Sequence, residues 1–142
     1  MMPSIIYEAL AGNAALISAG ITSDRIIESQ SVDERPFATG LFITIRFGEM
    51  SVPTMSAVGK NTRACTVAVH KAWDDSRDYR PLTSILNKVD AVLLNLELAT
   101  GTDNLRLTCV TRQGRSGNLV DEGWETISRT ATYGVLYDEY AA

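Results

Sequence analysis

The chain has 142 residues, with 13 Lys and Arg against 17 Asp and Glu, a formal net charge of −4 and an isoelectric point near 4.9. This acidic balance argues against a dedicated nucleic-acid-binding protein, because neutralising phosphates requires clustered Lys and Arg. Hydrophobic residues make up 45% and charged residues 21%, which is typical of globular domains and excludes a disordered chain. The length predicts a single domain covering residues 1–142.

Membrane and secretory segments are not predicted. The sequence has no apolar run of about 18 residues, and its first residues show neither a basic stretch nor an apolar stretch of signal-peptide type. We therefore expect a cytosolic product with no targeting segment and no membrane partner. Cys65 and Cys109 form no C-x-x-C pair that would hold zinc or perform redox chemistry, so we expect both to be reduced core residues.

The first predicted elements are a helix and a short strand. Apolar residues at spacings of three and four predict an amphipathic helix from residue 3 or 4 to residue 19, ended by Gly20. Gly12 and Asn13 weaken this helix, so a break there is the alternative to a continuous helix. A short strand is expected at residues 25–28. The expected apolar face of the helix consists of Ile6, Ala9, Leu10, Ala14 and Ile17.

Two longer strands are predicted next, at residues 41–47 and 63–73, from their alternating and β-branched patterns. Between them, residues 48–61 have neither helical nor strand periodicity, which predicts a loop longer than usual. If this loop closes a hairpin, the two strands are antiparallel. The side chains expected to face the core are Leu41, Ile43, Ile45 and Phe47 of the first strand and Cys65, Val67 and Val69 of the second.

The clearest helical pattern covers residues 78–98, after an acidic turn and with Pro81 in the first turn. Gly101 is the expected stop signal. Two further strands are predicted at residues 105–111 and 125–136, separated by a turn-rich segment. This order predicts an α+β fold with two helices packed on one face of a mostly antiparallel sheet of four to five strands. The predicted buried stripe of the helix is Leu82, Ile85, Leu86, Val89, Leu93 and Leu96.

No catalytic, cofactor or metal site is predicted. His70 is the only histidine, so Ser-His-Asp or Cys-His chemistry would have to use it, and we expect an ordinary structural histidine at a strand end. Asp74, Asp75 and Asp78 lack the spacing of a calcium loop and are expected to cap a helix. Phosphate-binding glycine motifs are absent from the sequence. These observations predict that the chain is not an enzyme.

Two groups of residues are candidate interaction sites. Four arginines on or near the last strands either touch DNA transiently or belong to a solvated face, since acidic residues interleave with them. Methionine and valine in the long loop indicate either an adaptable protein-binding surface or a loop folded over its own core. Few prolines or inward charges protect the predicted sheet edges. The arginines are Arg106, Arg112, Arg115 and Arg129, and the loop residues are Met50, Val52, Pro53, Met55 and Val58.

Several segments carry a family resemblance. They are Val69-His70-Lys71-Ala72-Trp73, the helix at 78–98, Leu105-Arg106-Leu107, and Thr130-Ala131-Thr132-Tyr133-Gly134-Val135, together with the step at Arg35-Pro36-Phe37 into the first long strand. In these segments and in its overall pattern, the sequence resembles the tail terminator, or tail completion, proteins of long-tailed bacteriophages. The resemblance covers most of the chain and includes no catalytic motif.

The resemblance implies a fold related to the tail-tube proteins. It further implies a homo-oligomer, a ring of six copies that caps the head-proximal end of the tail tube, stops polymerisation and joins the head. The implied partners are the tail tube protein and the head-tail connector of the neck, and the implied location is the virion tail, with the host cytoplasm during assembly. Six copies at −4 each would carry −24, so DNA should pass through without specific binding.

On this interpretation, the loop residues are candidates for docking on the tube or neck, and the four arginines are candidate lumen or inter-subunit charges. The alternatives are another head-tail connector or a tube subunit, and, less favoured by the residues, a small enzyme or ligand-binding domain.

Overall fold

The computed structural model describes residues 4–28, 36–37, 39–48, 60–74 and 77–138, and the side chains of residues 60 and 61 are not described. Within these ranges it contains three helices, seven strands and a short 3₁₀ turn at Ser23–Arg25. The helices are α1 (Ile5–Ala11), α2 (Ala14–Ser18) and α3 (Arg80–Leu93). The strands are β1 (Ile26–Glu28), β2 (Leu41–Phe47), β3 (Lys60–Ala72), β4 (Glu97–Thr100), β5 (Arg106–Arg115), β6 (Leu119–Asp121) and β7 (Thr126–Asp138).

The N-terminal helical segment is broken at Gly12 and Asn13, the weaker positions of the predicted helix. The Asn13 side chain accepts a hydrogen bond from the backbone N–H of Leu16 at 3.1 Å and so starts a second helix. This restart changes which residues face the core. Leu16 is buried, whereas Ile17, expected on the apolar face, is 45% exposed.

Helix α3 buries the predicted stripe but ends earlier than expected, at Leu93. Leu96 lies beyond the helix, and residues 97–100 form β4, which pairs with β5 instead of extending the helix. Leu98 has a left-handed φ of 50° and is 61% exposed. Gly101 therefore ends a strand, and its expected role as the stop of the helix was wrong.

The sheet has seven strands in the order β1-β2-β3-β7-β5-β4, and β6 pairs with the beginning of β7. It is mixed, because β1 runs parallel to β2 while every other described pair is antiparallel. The predicted hairpin of β2 and β3 is confirmed, with Ile43 opposite Val69. The predicted count of four to five strands was wrong, because β4 and β6 are short strands that the sequence pattern did not reveal.

One face of the sheet carries the helices and the core. Helix α3 packs on β3 and β7, and α1 and α2 pack against α3. Among the residues predicted to face inward, Leu41 and Phe47 are only half-buried. The opposite face, here called the open face, bears small and hydroxyl side chains of β3 and β7 beside an aromatic cluster of Phe42, His70 and Trp124. The buried sheet residues of the helix-bearing face include Ile43, Ile45, Cys65, Val67, Val69, Ile127, Ala131, Tyr133, Val135 and Tyr137.

The edges of the sheet are formed by short strands, of three residues in β1 and four in β4. On the β4 side, residues 110–115 of β5 extend past β4 and pair only with β7 among the described strands. No helix in the described ranges is long and apolar enough to cross a membrane.

Candidate functional site

The predicted docking loop lies outside the described residues. Its candidates Met50, Val52, Pro53, Met55 and Val58 all fall between Gly48, at the end of β2, and Lys60, at the start of β3. The loop therefore stays a prediction, connected to two neighbouring antiparallel strands.

The four predicted arginines do not form one basic face. Arg112 and Arg115 lie opposite Tyr133 and Ala131 of β7, on the helix-bearing face, and Arg129 lies on the same face. Arg106 pairs with Asp138 in the register and belongs to the open face. The structure thus separates one arginine from the other three.

Arg112 and Arg115 meet Asp90 of α3, which sequence reasoning missed. Asp90 accepts a hydrogen bond from Arg115 Nη2 at 2.5 Å and another from the Tyr133 hydroxyl, and Arg112 Nη1 lies 3.8 Å from it. Burial, together with the Asp90 carboxylate, raises the pKa of Tyr133 above its ordinary value. The Arg115 and Asp90 side chains are only 20% and 15% exposed. This cluster fixes α3 on the sheet.

Arg129 also binds the helix. Its Nη1 donates to Thr83 Oγ1 at 2.6 Å, and its Nε donates to Asn118 Oδ1 at 2.8 Å. It lines an open groove of about 800 Å³ beside the N-terminal end of α3. The Tyr79 hydroxyl closes part of this region by donating to the Leu119 carbonyl at 2.8 Å.

His70 lies in an aromatic cluster on the open face, where it is 7% exposed. Its ring stacks on Phe42 with centroids 5.0 Å apart and lies 5.2 Å from the ring of Trp124. Nδ1 is 3.2 Å from Thr126 Oγ1, and Nε2 is 3.3 Å from Thr44 Oγ1, so both ring nitrogens have hydroxyl partners. Burial lowers the pKa of His70 to about 4, against a smaller opposing effect of the Asp121 charge.

This environment makes His70 a poor general base near neutral pH, since catalytic bases usually have a pKa close to the working pH. Ser128 lies opposite His70 in the β3–β7 register, but the described hydrogen bonds of His70 go to the two threonines. A depression of about 250 Å³ adjoins the cluster. Its lining includes Thr44, Arg46, Thr66, Asp121, Trp124 and Ser128.

The two cysteines differ in burial: Cys65 is a core residue as predicted, whereas Cys109 is only half-buried, so its predicted place in the core was wrong. Cys65 and Cys109 are free thiols, and burial raises the pKa of Cys65 to about 12, far above that of a reactive thiol.

Asp78 accepts a hydrogen bond from the Arg80 backbone N–H at 3.0 Å, and Arg80 lowers the pKa of Asp78. The N-cap residue of α3 is Tyr79, which makes no side-chain capping hydrogen bond, so the predicted capping by the acidic turn was wrong at this position, and Asp75 lies outside the described residues. Among the described residues, no three His, Cys, Asp or Glu side chains are grouped to hold a metal ion.

Comparison with known proteins gives a structural match and no sequence match. No family model matches the chain, and no curated protein matches it. A solved structure titled "Virion of native gene transfer agent (GTA) particle" contains a chain that superposes with a TM-score of 0.66 at 13% sequence identity. The match covers 94% of this chain and 91% of the other. The two chains share a fold.

Proposed function

We propose that the chain is a structural protein of a phage-like virion, which forms a ring at the head-proximal end of the tail tube, stops tube polymerisation and presents the surface that joins the head. The observation that carries this proposal is the fold shared over nearly the whole of both chains with a component of a virion particle. The proposed position at the end of the tail tube and the proposed hexameric state rest on the resemblance of the sequence to tail terminators.

The charge and the open face are consistent with a ring around DNA. The chain carries −4, so a ring of copies would attract a duplex only weakly and would let it pass. The open face presents hydroxyl side chains on β3 and β7, including half-buried Thr66, Thr130 and Thr132, beside the aromatic cluster around His70. We assign this face to the lumen and the helix-bearing face to the outside of the ring.

The surroundings of His70 favour a structural role over an enzymatic one. Both ring nitrogens have hydroxyl partners, and the ring is enclosed by Phe42 and Trp124. A small enzyme built on this histidine would require the cluster to open. Loss of a measured activity in His70→Ala, in a protein that stays folded, would favour that alternative.

The loop at residues 48–61 is our proposed docking element for the tube or neck. Its methionine and valine side chains are suited to adaptable protein contacts. Deleting residues 51–57 should leave the β2–β3 pairing and folding intact while abolishing the capping of tubes. A deletion variant that still caps tubes would contradict this assignment.

The experiment that tests the function is electron microscopy of a lysate from the parent phage with this gene disrupted. DNA-filled heads beside unattached tails of irregular, excessive length would support termination. Heads without tails would identify a tube subunit, and tails of normal length that fail to attach would identify another head-tail connector. Normal virions would overturn the assembly role.

A further inference from the structure

On each side of the sheet, the outermost main chain pairs with no further strand among the described residues. Strand β1 pairs with β2 on one side, and no described strand lies on its other side. At the opposite side of the sheet, β4 covers β5 only as far as Cys109, so residues 110–115 pair with β7 alone among the described strands. Unpaired main-chain N–H and C=O groups at such edges can accept another strand.

Each of these edges carries an exposed charged side chain. Glu28 of β1 is exposed, and within the described residues it has no ion pair or side-chain hydrogen bond. Arg112 of β5 is 55% exposed, and its nearest carboxylate, Asp90, lies 3.8 Å away and already binds two other side chains. One edge therefore carries a carboxylate without a partner among the described residues, and the other carries an exposed guanidinium whose ion pair with Asp90 is long and shared with two other side chains.

The directions of β1 and β5, and the face on which their charged side chains lie, allow these two strands to pair between copies. Glu28 lies opposite Ile45 and Arg112 lies opposite Tyr133, and both of these partners are buried on the helix-bearing face. Both charges therefore lie on the same face of the sheet. Strand β1 runs in the direction of β2 and β7, whereas β5 runs against them. Copies related by rotation about one axis would thus place β1 antiparallel to β5.

We propose that β1 of one copy pairs with the 110–115 edge of β5 in the next copy, and that Glu28 and Arg112 form an ion pair across this interface. The occupant of each edge is a second copy of this chain. Because the two edges differ, the contact is head-to-tail, and repeating it around an axis closes a ring. This inference rests on the proposed function for the number of copies but not for the pairing itself.

Charge reversal tests the pairing. Glu28→Arg and Arg112→Glu each place like charges together, which should weaken self-association at least about tenfold, whereas the double variant should regain it. Arg80→Glu is the matched control, because Arg80 is an exposed arginine of α3 outside both edges and should leave association unchanged. Circular dichroism of each variant establishes that it is folded, and mass photometry and sedimentation measure the assembly.

An equimolar mixture of the two single variants distinguishes a contact between copies from one within a copy. In a ring of alternating variants every interface again joins opposite charges, so the mixture should assemble although neither variant does alone. If the purified chain assembles only on tubes, the same variants are tested singly and together by complementing the gene-disrupted phage and counting infectious particles.

Single reversals without effect, or single losses that neither the double variant nor the mixture restores, would overturn the pairing. Binding of the tube protein that responds to the reversals while self-association does not would assign the edges to that partner instead. Normal virions from the gene-disrupted phage would overturn the tail function without affecting the association measurements, so the two failures are distinguishable.

Discussion

Acidification is predicted to destabilise this protein through its single histidine. In the folded chain, burial between Phe42 and Trp124 lowers the pKa of His70 from 6.5 to about 4. The unfolded chain retains the ordinary value, so between these pH values the unfolded state binds more protons than the folded state. Stability therefore falls as the pH falls from about 6.5 towards 4.

The size of the effect follows from the difference between the two values. The pKa of His70 differs by about 2.5 pH units between the unfolded and folded states, and each unit corresponds to about 1.4 kcal/mol. The complete loss near pH 4 is therefore about 3 kcal/mol, and about 2 kcal/mol is already lost at pH 5. This is a substantial part of the free energy of unfolding of an ordinary domain.

Two measurements check this prediction. The ring proton resonances of the one histidine, followed by NMR against pH, give its pKa in the folded chain without an assignment problem. Urea unfolding of the wild type and His70→Gln at pH 7 and pH 5 isolates the contribution of the histidine, because the carboxylates are the same in both. The wild type should lose about 2 kcal/mol more than the variant. A resonance that titrates near 6.5, or equal losses in both proteins, would refute the reasoning and leave His70 accessible as a base.

Asp90→Ala leaves the buried Tyr133 hydroxyl and a guanidinium without their carboxylate, and should lower the free energy of unfolding in urea by about 3 kcal/mol; an unchanged midpoint would contradict the role given to this cluster. Raising the pH above 10 should destabilise the wild type more than Tyr133→Phe, because the unfolded tyrosine releases its proton before the folded one. Gly101→Ala would bring a Cβ close to the Ser4 hydroxyl and should cost about 1–3 kcal/mol. Gly117→Ala, whose Cβ meets nothing within 4 Å, should unfold at the wild-type urea concentration.

Most of the fold could be predicted from periodicity. The alternation in β2 and β3 and the helical stripe of α3 each require a buried face, whatever the rest of the chain does. Strand β4 was missed because the apolar spacing of α3 continues through Leu96 without a glycine or proline to mark the end. Strand β6 was missed because three residues are too few to show an alternating pattern. It is recognised as a strand only by its hydrogen-bonded pairing with β7.

The arrangement of the four candidate arginines could be learned only from the tertiary structure. The sequence placed the four arginines on the last strands, but it did not show which faces they occupy. In a regular strand, Arg106 and Arg112 would point to one face, and Arg112 and Arg115 to opposite faces. Two register shifts in β5, between Leu107 and Cys109 and between Arg112 and Gly114, change both relations.

The sequence by itself therefore determined the class of the fold, its principal core residues and its acidic charge, because these depend on local periodicity and composition. The tertiary structure alone decided that Asp90 receives two arginines and that Glu28 and Arg112 lie on opposite open edges of one sheet. The physical reason is that a strand bulge and a strand order are set by pairing between distant segments. Neither a bulge nor a strand order produces a periodic pattern in the sequence of the residues that come into contact.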